Sequence, residues 1–243
     1  MNFSFAGHTD VGRVRTRNED ALLQQPLRGV AAVADGMGGH AAGDVASRIA
    51  VDVLDDWTRD LGPDPAAALA DAIRAAHEAI IRAARADPEL QGMGTTLTAL
   101  RVHASNGCVI AHVGDSRAYR WRDGGLEQLT RDQTWVQEQV EAGAISSDNA
   151  RHHPFSSILT GALGVEDQEL EIQVLEPECV PGDTFLLCSD GLIARLSDDQ
   201  LLELLQEHGD DLDAAARALV GAANEAGGPD NITVALVRCE SDE

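Results

Sequence analysis

Lysine is absent from this chain. All 18 basic residues are arginine, set against 41 acidic ones, for a formal net charge of −23 and an isoelectric point near 4.5. Without lysine there is no P-loop lysine and no Schiff-base lysine. Such acidity also argues against bare nucleic acid and anionic membrane surfaces as partners. Apolar runs are short, and none approaches the length of a membrane span. The N-terminal segment MNFSFAGHTD has neither a basic region nor a long apolar stretch, so no secretory leader is expected. The four cysteines, Cys108, Cys179, Cys188 and Cys239, are far apart and form no CxxC, which indicates neither a zinc ribbon nor a redox motif. Cys108 and Cys188 lie in apolar runs and read as small buried hydrophobes. A reducing cytoplasm is the expected compartment. No Pro/Ser-rich linker, charge block or fixed-period repeat interrupts the 243 residues, 44% of them hydrophobic, so one domain over 1–243 is expected.

Periodicity then supplies the elements. Strand-like runs cover residues 2–8, 21–23, 30–34, 95–102, 108–113, 118–122, 126–130, 170–175, 184–188 and 232–238. Apolar residues at helical spacing predict helices from about 45 to 57, where Val45, Ile49, Val53 and Trp57 recur, and from 65 to 86, with Leu69, Ile73, Ile80 and Ile81 as the stripe. Further helices are expected near 135–141, 197–207 and 212–226, with a polar stretch over 146–154. Asp123-Gly124-Gly125 is a hairpin turn signal, so Asp123 is set aside as structural. His77 reads as a surface or satisfied helix residue. Strands clustered in sequence and interleaved with helix pairs predict antiparallel sheets covered by helices rather than a doubly wound parallel sheet.

Four acids stand at the ends of apolar strand-like runs: Asp35 after GVAAVA, Asp115 after CVIAHVG, Asp190 after TFLLCS, and Asp230 before NITVALV. One such end is unremarkable, but four suggest carboxylates gathered at one rim of a sheet. Carboxylates about 5 Å apart repel by roughly 3 kcal/mol per pair at an effective dielectric near 20. Divalent cations are the simplest counterweight. Asp35 opens Asp35-Gly36-Met37-Gly38-Gly39-His40, where glycines allow close backbone approach and exposed carbonyls add hard oxygen donors suited to Mg²⁺ or Mn²⁺. The hexad Arg15-Thr16-Arg17-Asn18-Glu19-Asp20 joins two guanidinium groups to an acid pair, and a guanidinium there could fork onto phosphate oxygens.

In order and spacing these pieces resemble the PP2C-type metal-dependent Ser/Thr protein phosphatases, in particular their bacterial stand-alone branch. The matching segments are VRTRNEDA at 14–21, VADGMGGHAAGDVAS at 33–47, GTT at 94–96, VGDSRAY at 113–119, CSDGL at 188–192 and GGPDNITV at 227–234, with LTRDQT at 129–134 and the HHP of 152–154 between them. The resemblance spans nearly the whole chain. It implies an α+β fold in which two antiparallel β-sheets pack as a central sandwich, with helix pairs on both outer faces. It further implies two core Mn²⁺ or Mg²⁺ ions and a third, weaker one.

Residue by residue, the resemblance makes Asp35 the bridge between the two main ions, with the Gly36 carbonyl completing one and Asp190 and Asp230 ligating the other. Glu19 and Asp20 would act mainly through bound water, and Asp115 with Asp190 would support the third ion. Arg15 matches the phosphate-binding arginine, His40 the proton donor to the leaving alkoxide, and Asn231 would orient the neighbourhood of Asp230. The implied reaction is hydrolysis of phosphoserine and phosphothreonine monoesters by in-line attack of a metal-bridging water. The implied partners are phosphorylated proteins and a bacterial Ser/Thr kinase pathway, secretion-system regulation being one such setting. The chain is expected to act as a monomer.

Two positions depart from the family pattern. Gln133 stands where histidine is more common, and Gly161 where arginine is common; both fall in or near the flap over the site. His152 and His153, adjacent in a polar loop, read as structural or flap residues rather than zinc ligands. Two other classes remain to be separated: a non-catalytic phosphoprotein-binding module, which would have lost metal acids, and a two-metal phosphodiesterase or nuclease, against which the lack of basic stripes argues.

Overall fold

A computed structural model describes residues 1–38, 42–59, 64–103, 107–150, 153–166 and 168–241. In chain order the strands are β1 (Asn2–Asp10), β2 (Asp20–Gln25), β3 (Val30–Met37), β4 (Gly94–Thr95), β5 (Leu97–His103), β6 (Gly107–Val113), β7 (Arg117–Arg122), β8 (Gly125–Gln128), β9 (Gln173–Leu175), β10 (Thr184–Cys188) and β11 (Ile232–Glu240). The helices are α1 (Gly43–Trp57), α2 (Pro65–Ala86), α3 (Trp135–Glu141), α4 (Ser147–Ala150), α5 (Asp190–Ile193), α6 (Asp198–His208) and α7 (Leu212–Glu225).

The strands form two sheets, one in the order β1-β11-β10-β7-β8, the other β2-β3-β5-β6-β9 with β4 on β3, and the paired strands run antiparallel. Strand alternation explains why their cores read as unbroken apolar runs. In β3, Ala31 and Val33 face the other sheet while Ala32 and Ala34 face α1 and α2; in β11, Ala235 and Val237 face inward while Val234 and Leu236 meet α5, α6 and α7. Phe185 and Leu187 of β10 fill the same inter-sheet layer as Val33, Leu100 and Ile110. Both faces of each central strand are therefore buried, and the layers run helices, sheet, sheet, helices.

Local chemistry sets the ends of these elements. Pro65 opens α2 behind Asp64, whose carboxylate accepts the Ala67 N–H at 3.0 Å. Ser197 and Gln200 form a reciprocal capping box on α6. Asp123 and Gly124 both take positive φ in the β7–β8 turn, as the hairpin signal requires. His77 on α2 is satisfied, accepting the Gly164 N–H at 3.2 Å. The polar stretch 146–154 holds one unforeseen helical turn, Ser147–Ala150, where Ser146 Oγ accepts the Asn149 N–H. Asp35 lies inside β3 rather than after it, because β3 continues through Gly36 and Met37 to pair with β4. No helix among the described residues is long and apolar enough to cross a membrane.

Candidate active site

Antiparallel pairing brings the acids together. The start of β2 lies beside the end of β3, so Asp20 stands opposite Asp35. The end of β6 points to the same rim and leads into Asp115; on the other sheet Asp190 follows β10 as the first residue of α5, and Asp230 precedes β11. The backbone of Asp35 is pinned by the break between β4 and β5. Thr96 Oγ1 accepts its N–H at 3.0 Å, while Thr96 N and Thr95 Oγ1 both donate to its carbonyl at 2.9 Å. Next to it, a β-carbon on Gly36 would collide with the carbonyl oxygens of Gly43 and Glu19, so only glycine lets these three segments meet.

Asn231 joins the Arg15–Asp20 turn to β11. Its Oδ1 accepts the Glu19 N–H at 2.8 Å, and its Nδ2 donates to the carbonyls of Val11 at 2.9 Å and Arg17 at 2.8 Å. Its own backbone N–H donates to Asp230 Oδ1 at 2.8 Å. Ser189 bridges likewise: its hydroxyl donates to Asp20 Oδ2 at 2.8 Å and accepts the Thr233 N–H at 2.9 Å. Asp20 Oδ1 is shut off from water with no hydrogen-bond partner.

Arg15, Glu19, Asp35, Gly36, Asp115, Asp190 and Asp230 line one cleft of about 260 Å³, together with Thr96, Ser157 and Leu159. A larger surface hollow of about 510 Å³ beside Phe3, Leu27 and Arg101 contains no acidic residue and no other part of this constellation. Each cleft aspartate still touches solvent, but protein crowds its carboxylate from behind. Desolvation, followed by the charges of Asp20, Asp190 and Asp115, pushes Asp35 well above the usual carboxylate range. Desolvation and then Asp190 and Asp132 do the same to Asp115, and desolvation and then Asp230 raise Asp190. Burial lifts Asp20 to about 7, opposed by its hydrogen bonds and assisted by Asp190 and Asp230. Asp35 and Asp190 come within hydrogen-bonding reach of each other. Two carboxylates that close share a proton unless a cation takes its place.

Arg15 Nη2 donates to Asp230 Oδ2 at 2.7 Å, the guanidinium being half exposed at the mouth of the cleft. The donor set fits a hard cation: carboxylate oxygens, the Gly36 carbonyl and an orphaned Asp20 oxygen, with no thiol or imidazole among the described lining residues and the Met37 thioether as the one sulfur there. Among the described residues no three His, Cys, Asp or Glu side chains are already drawn together tightly enough to hold an ion. Part of that openness has a visible cause, since Asp230 is turned to Arg15. Water and the Gly36 carbonyl would have to supply the remaining donors, as hard cations commonly allow.

Of the residues expected from sequence, Arg15, Glu19, Asp35, Gly36, Asp115, Asp190 and Asp230 line this cleft and Asp20 lies directly behind it. His40 and His152 fall outside the described residues. His153 packs its ring against Trp135 and Phe155, with centroids 5.3 and 5.5 Å away, in keeping with a structural part. Sequence reasoning missed Ser189, which sat unremarked within the CSDGL segment, and Ser157 and Leu159, which carry no local signal at all.

Two antiparallel sheets between helical layers, with aspartates from both sheets around one cleft and an arginine at its mouth, define an α-β-β-α protein with a hard-oxygen, cation-seeking centre. The protein phosphatase 2C family model matches residues 9–225, and the chain belongs to that family. It is 42% identical over 233 residues to the serine/threonine protein phosphatase PstP of Mycobacterium tuberculosis, covering 96% of this chain and 44% of that protein. With the serine/threonine phosphatase stp of Listeria monocytogenes it shares 39% identity over 237 residues, 94% of this chain and 93% of the relative. The crystal structure of M. tuberculosis PstP/Ppp superposes with a TM-score of 0.92 at 40% identity, covering 99% and 100% of the two chains. A structure of the PstP catalytic domain in complex with two manganese ions gives 0.89 at 39%, covering 98% and 99%. PppA, a regulatory component of the type VI secretion system (T6SS) in Pseudomonas aeruginosa, gives 0.86 at 38%, covering 98% of each chain. The chain thus spans a little under half the length of PstP and nearly all of stp.

Proposed function

We propose that this chain is a metal-dependent protein serine/threonine phosphatase, with residues 1–243 as one catalytic domain. The observation that carries the reading is the convergence of Asp35, Asp115, Asp190 and Asp230 with Arg15 in one cleft. The manganese ions of the PstP structure support Mn²⁺ or Mg²⁺ as the cations. When bound, such ions acidify water and offset phosphate charge.

The chain's own residues do the rest. Asp35, the Gly36 carbonyl, Asp190 and Asp230 would hold the core ions, Asp35 as their shared ligand, and Glu19 and Asp20 would hold water at the margin. Asp115 with Asp190 would hold a third, weaker ion. Arg15 receives the phosphoryl oxygens as a planar fork and neutralises charge on them. Its Nη2 is held by Asp230 at 2.7 Å, which orients the half-exposed guanidinium and leaves its other N–H groups for the phosphoryl oxygens. A serine or threonine alkoxide is a poor leaving group, and His40 is assigned the proton that it takes up.

Phosphorylated proteins are the substrates in this reading, and the chain reverses a Ser/Thr kinase in the cytoplasm as a monomer. The likeness to PppA supports a secretion-system setting among such pathways. Release of phosphate from a phosphothreonine peptide and from p-nitrophenyl phosphate, with Mn²⁺ and with chelator, tests the activity. Metal-dependent release from both is expected. No release by folded protein in Mn²⁺ would leave the binding-module reading, and faster cleavage of bis(p-nitrophenyl) phosphate than of the monoester would favour a phosphodiesterase. Arg15→Ala should raise KM by more than it lowers kcat.

A further inference from the structure

Three cysteines distant in sequence meet at the rim opposite the acids. β11 begins beside Asp230 and ends at Glu240, so Cys239 lies about 30 Å along the strand from the cleft at roughly 3.3 Å per residue. Cys239 Sγ is 2.8 Å from Cys179 Sγ, across a separation of 60 residues. Both residues are 1% exposed, and both are free thiols. A disulfide holds its sulfurs about 2.05 Å apart, so closure needs a movement of only about 0.8 Å.

The backbone already holds the pair in place. Cys239 N–H donates to the Asp183 carbonyl at 2.9 Å, and its own carbonyl accepts the Gly182 N–H at 2.8 Å, which fastens the end of β11 to the turn that follows Cys179. Cys108, brought close by the bridge between Gly107 and Glu178, turns its thiol to the Pro177 carbonyl at 3.3 Å. It thus has a partner of its own. Cys188 sits on β10 near the acid rim, among the residues packed on α5–α7.

We propose that Cys179 and Cys239 are a reversible disulfide site that ties the C-terminal strand to the loop before β10. With hydrogen peroxide as oxidant the Cys179 thiolate attacks one peroxide oxygen, the O–O bond breaks, and hydroxide leaves a sulfenic acid behind. The Cys239 sulfur then attacks the Cys179 sulfur and its thiol proton joins the departing hydroxide; the proton that Cys179 gave up on ionising neutralises the first hydroxide, so the products are one disulfide and two waters. The Cys239 thiol, 2.8 Å away, is placed to donate its proton to a thiolate at Cys179. Access for a small oxidant requires local opening at this margin, where Glu178, Gly182 and Glu240 are exposed.

The experiment is hydrogen peroxide treatment of the intact chain, alkylation of remaining thiols in denaturant, and non-reducing peptide mapping. One intramolecular Cys179–Cys239 link is expected, absent in Cys239→Ser and retained in Cys108→Ser and Cys188→Ser. The oxidised protein should melt about 5 °C or more above the reduced one, reverting with dithiothreitol. Four alkylated thiols under conditions that oxidise a control dithiol, a link made to Cys108, or a lower melting temperature on oxidation overturns the proposal.

Discussion

Gly161 has no β-carbon because the side-chain oxygen of Gln133 stands where one would be. That oxygen accepts the Gly114 N–H at 2.9 Å, and the Gln133 Nε2 donates to the Glu171 carbonyl at 3.0 Å. The Gln133 backbone also donates to Gly114 at 2.7 Å and accepts from Thr160 at 2.8 Å. Gln133 therefore joins the loop that carries Asp115 to the segment that carries Ser157 and Leu159 over the cleft. The two positions that depart from the family pattern fill one space, each explaining the other.

Gly161→Ala should accordingly destabilise the protein by about 1–3 kcal/mol, since the new methyl displaces a buried side chain. Gln133→Ala should cost a similar amount, about 1–3 kcal/mol, by leaving the Gly114 N–H without its acceptor. The double variant relieves the collision, so its loss should fall short of the sum by more than about 0.5 kcal/mol. Urea denaturation of the four proteins measures this, and strict additivity would contradict the shared space.

How much of this could be read from the sequence depends on the range of the interaction. Period-2 and period-3.6 patterns fixed α2 at 65–86 and β10 at 184–188 because each is decided within the element itself. The acids were legible because each follows or precedes an apolar run that must be a buried strand. Asp35 fell inside β3 only through pairing with β4, a contact sixty residues away. The meeting of Cys179 with Cys239 and the fit of Gln133 to Gly161 were hidden for the same reason: neither residue of either pair carries a local signal for the other.

Asn231 carries a load that its position beside an aspartate does not reveal. It is 4% exposed and satisfies Glu19, Val11 and Arg17 together. Asn231→Ala should lower stability by about 2–4 kcal/mol by leaving buried groups unpaired. Asn231→Asp should fare no better, since it turns a donor into an acceptor facing two carbonyls. Both variants should also need more Mn²⁺ for half-maximal rate, because the Arg17–Glu19 backbone loses its anchor beside Asp230. A metal titration of activity alongside denaturant melts would reveal a purely structural role if the half-point did not move.

Asp35→Asn separates function from stability. It removes a charge from the most crowded point of the cluster, so the chelator-treated variant should melt above the chelator-treated parent. Saturating Mn²⁺ at about 100 times its dissociation constant should stabilise the parent by about 2.7 kcal/mol and the variant by much less. Turnover should fall by at least about 100-fold. Thermal melts with and without Mn²⁺ check the first two expectations, and an equal Mn²⁺ response in both proteins would remove Asp35 from the bridging position.

The same crowding fixes the sign of the pH response. Burial holds Asp20 at about 7 in the folded chain, against 3.8 for a free side chain, and Asp35 and Asp115 are raised as well. An acid that binds its proton more tightly when folded favours the folded state at low pH. That advantage is lost as pH rises from the unfolded value through the folded one, here from about 4 to about 7. Chelator-treated protein should therefore melt at a higher temperature near pH 5.5 than near pH 7.5. A cation replaces those protons, so Mn²⁺ should flatten or reverse the trend, and its binding near pH 6 should release protons measurable by calorimetry in two buffers. Asp20→Asn should remove part of the slope seen in chelator. Metal-free protein that grows steadily more stable from about pH 5.5 to about pH 7.5 would mean that these carboxylates are ionised and separately compensated in the fold.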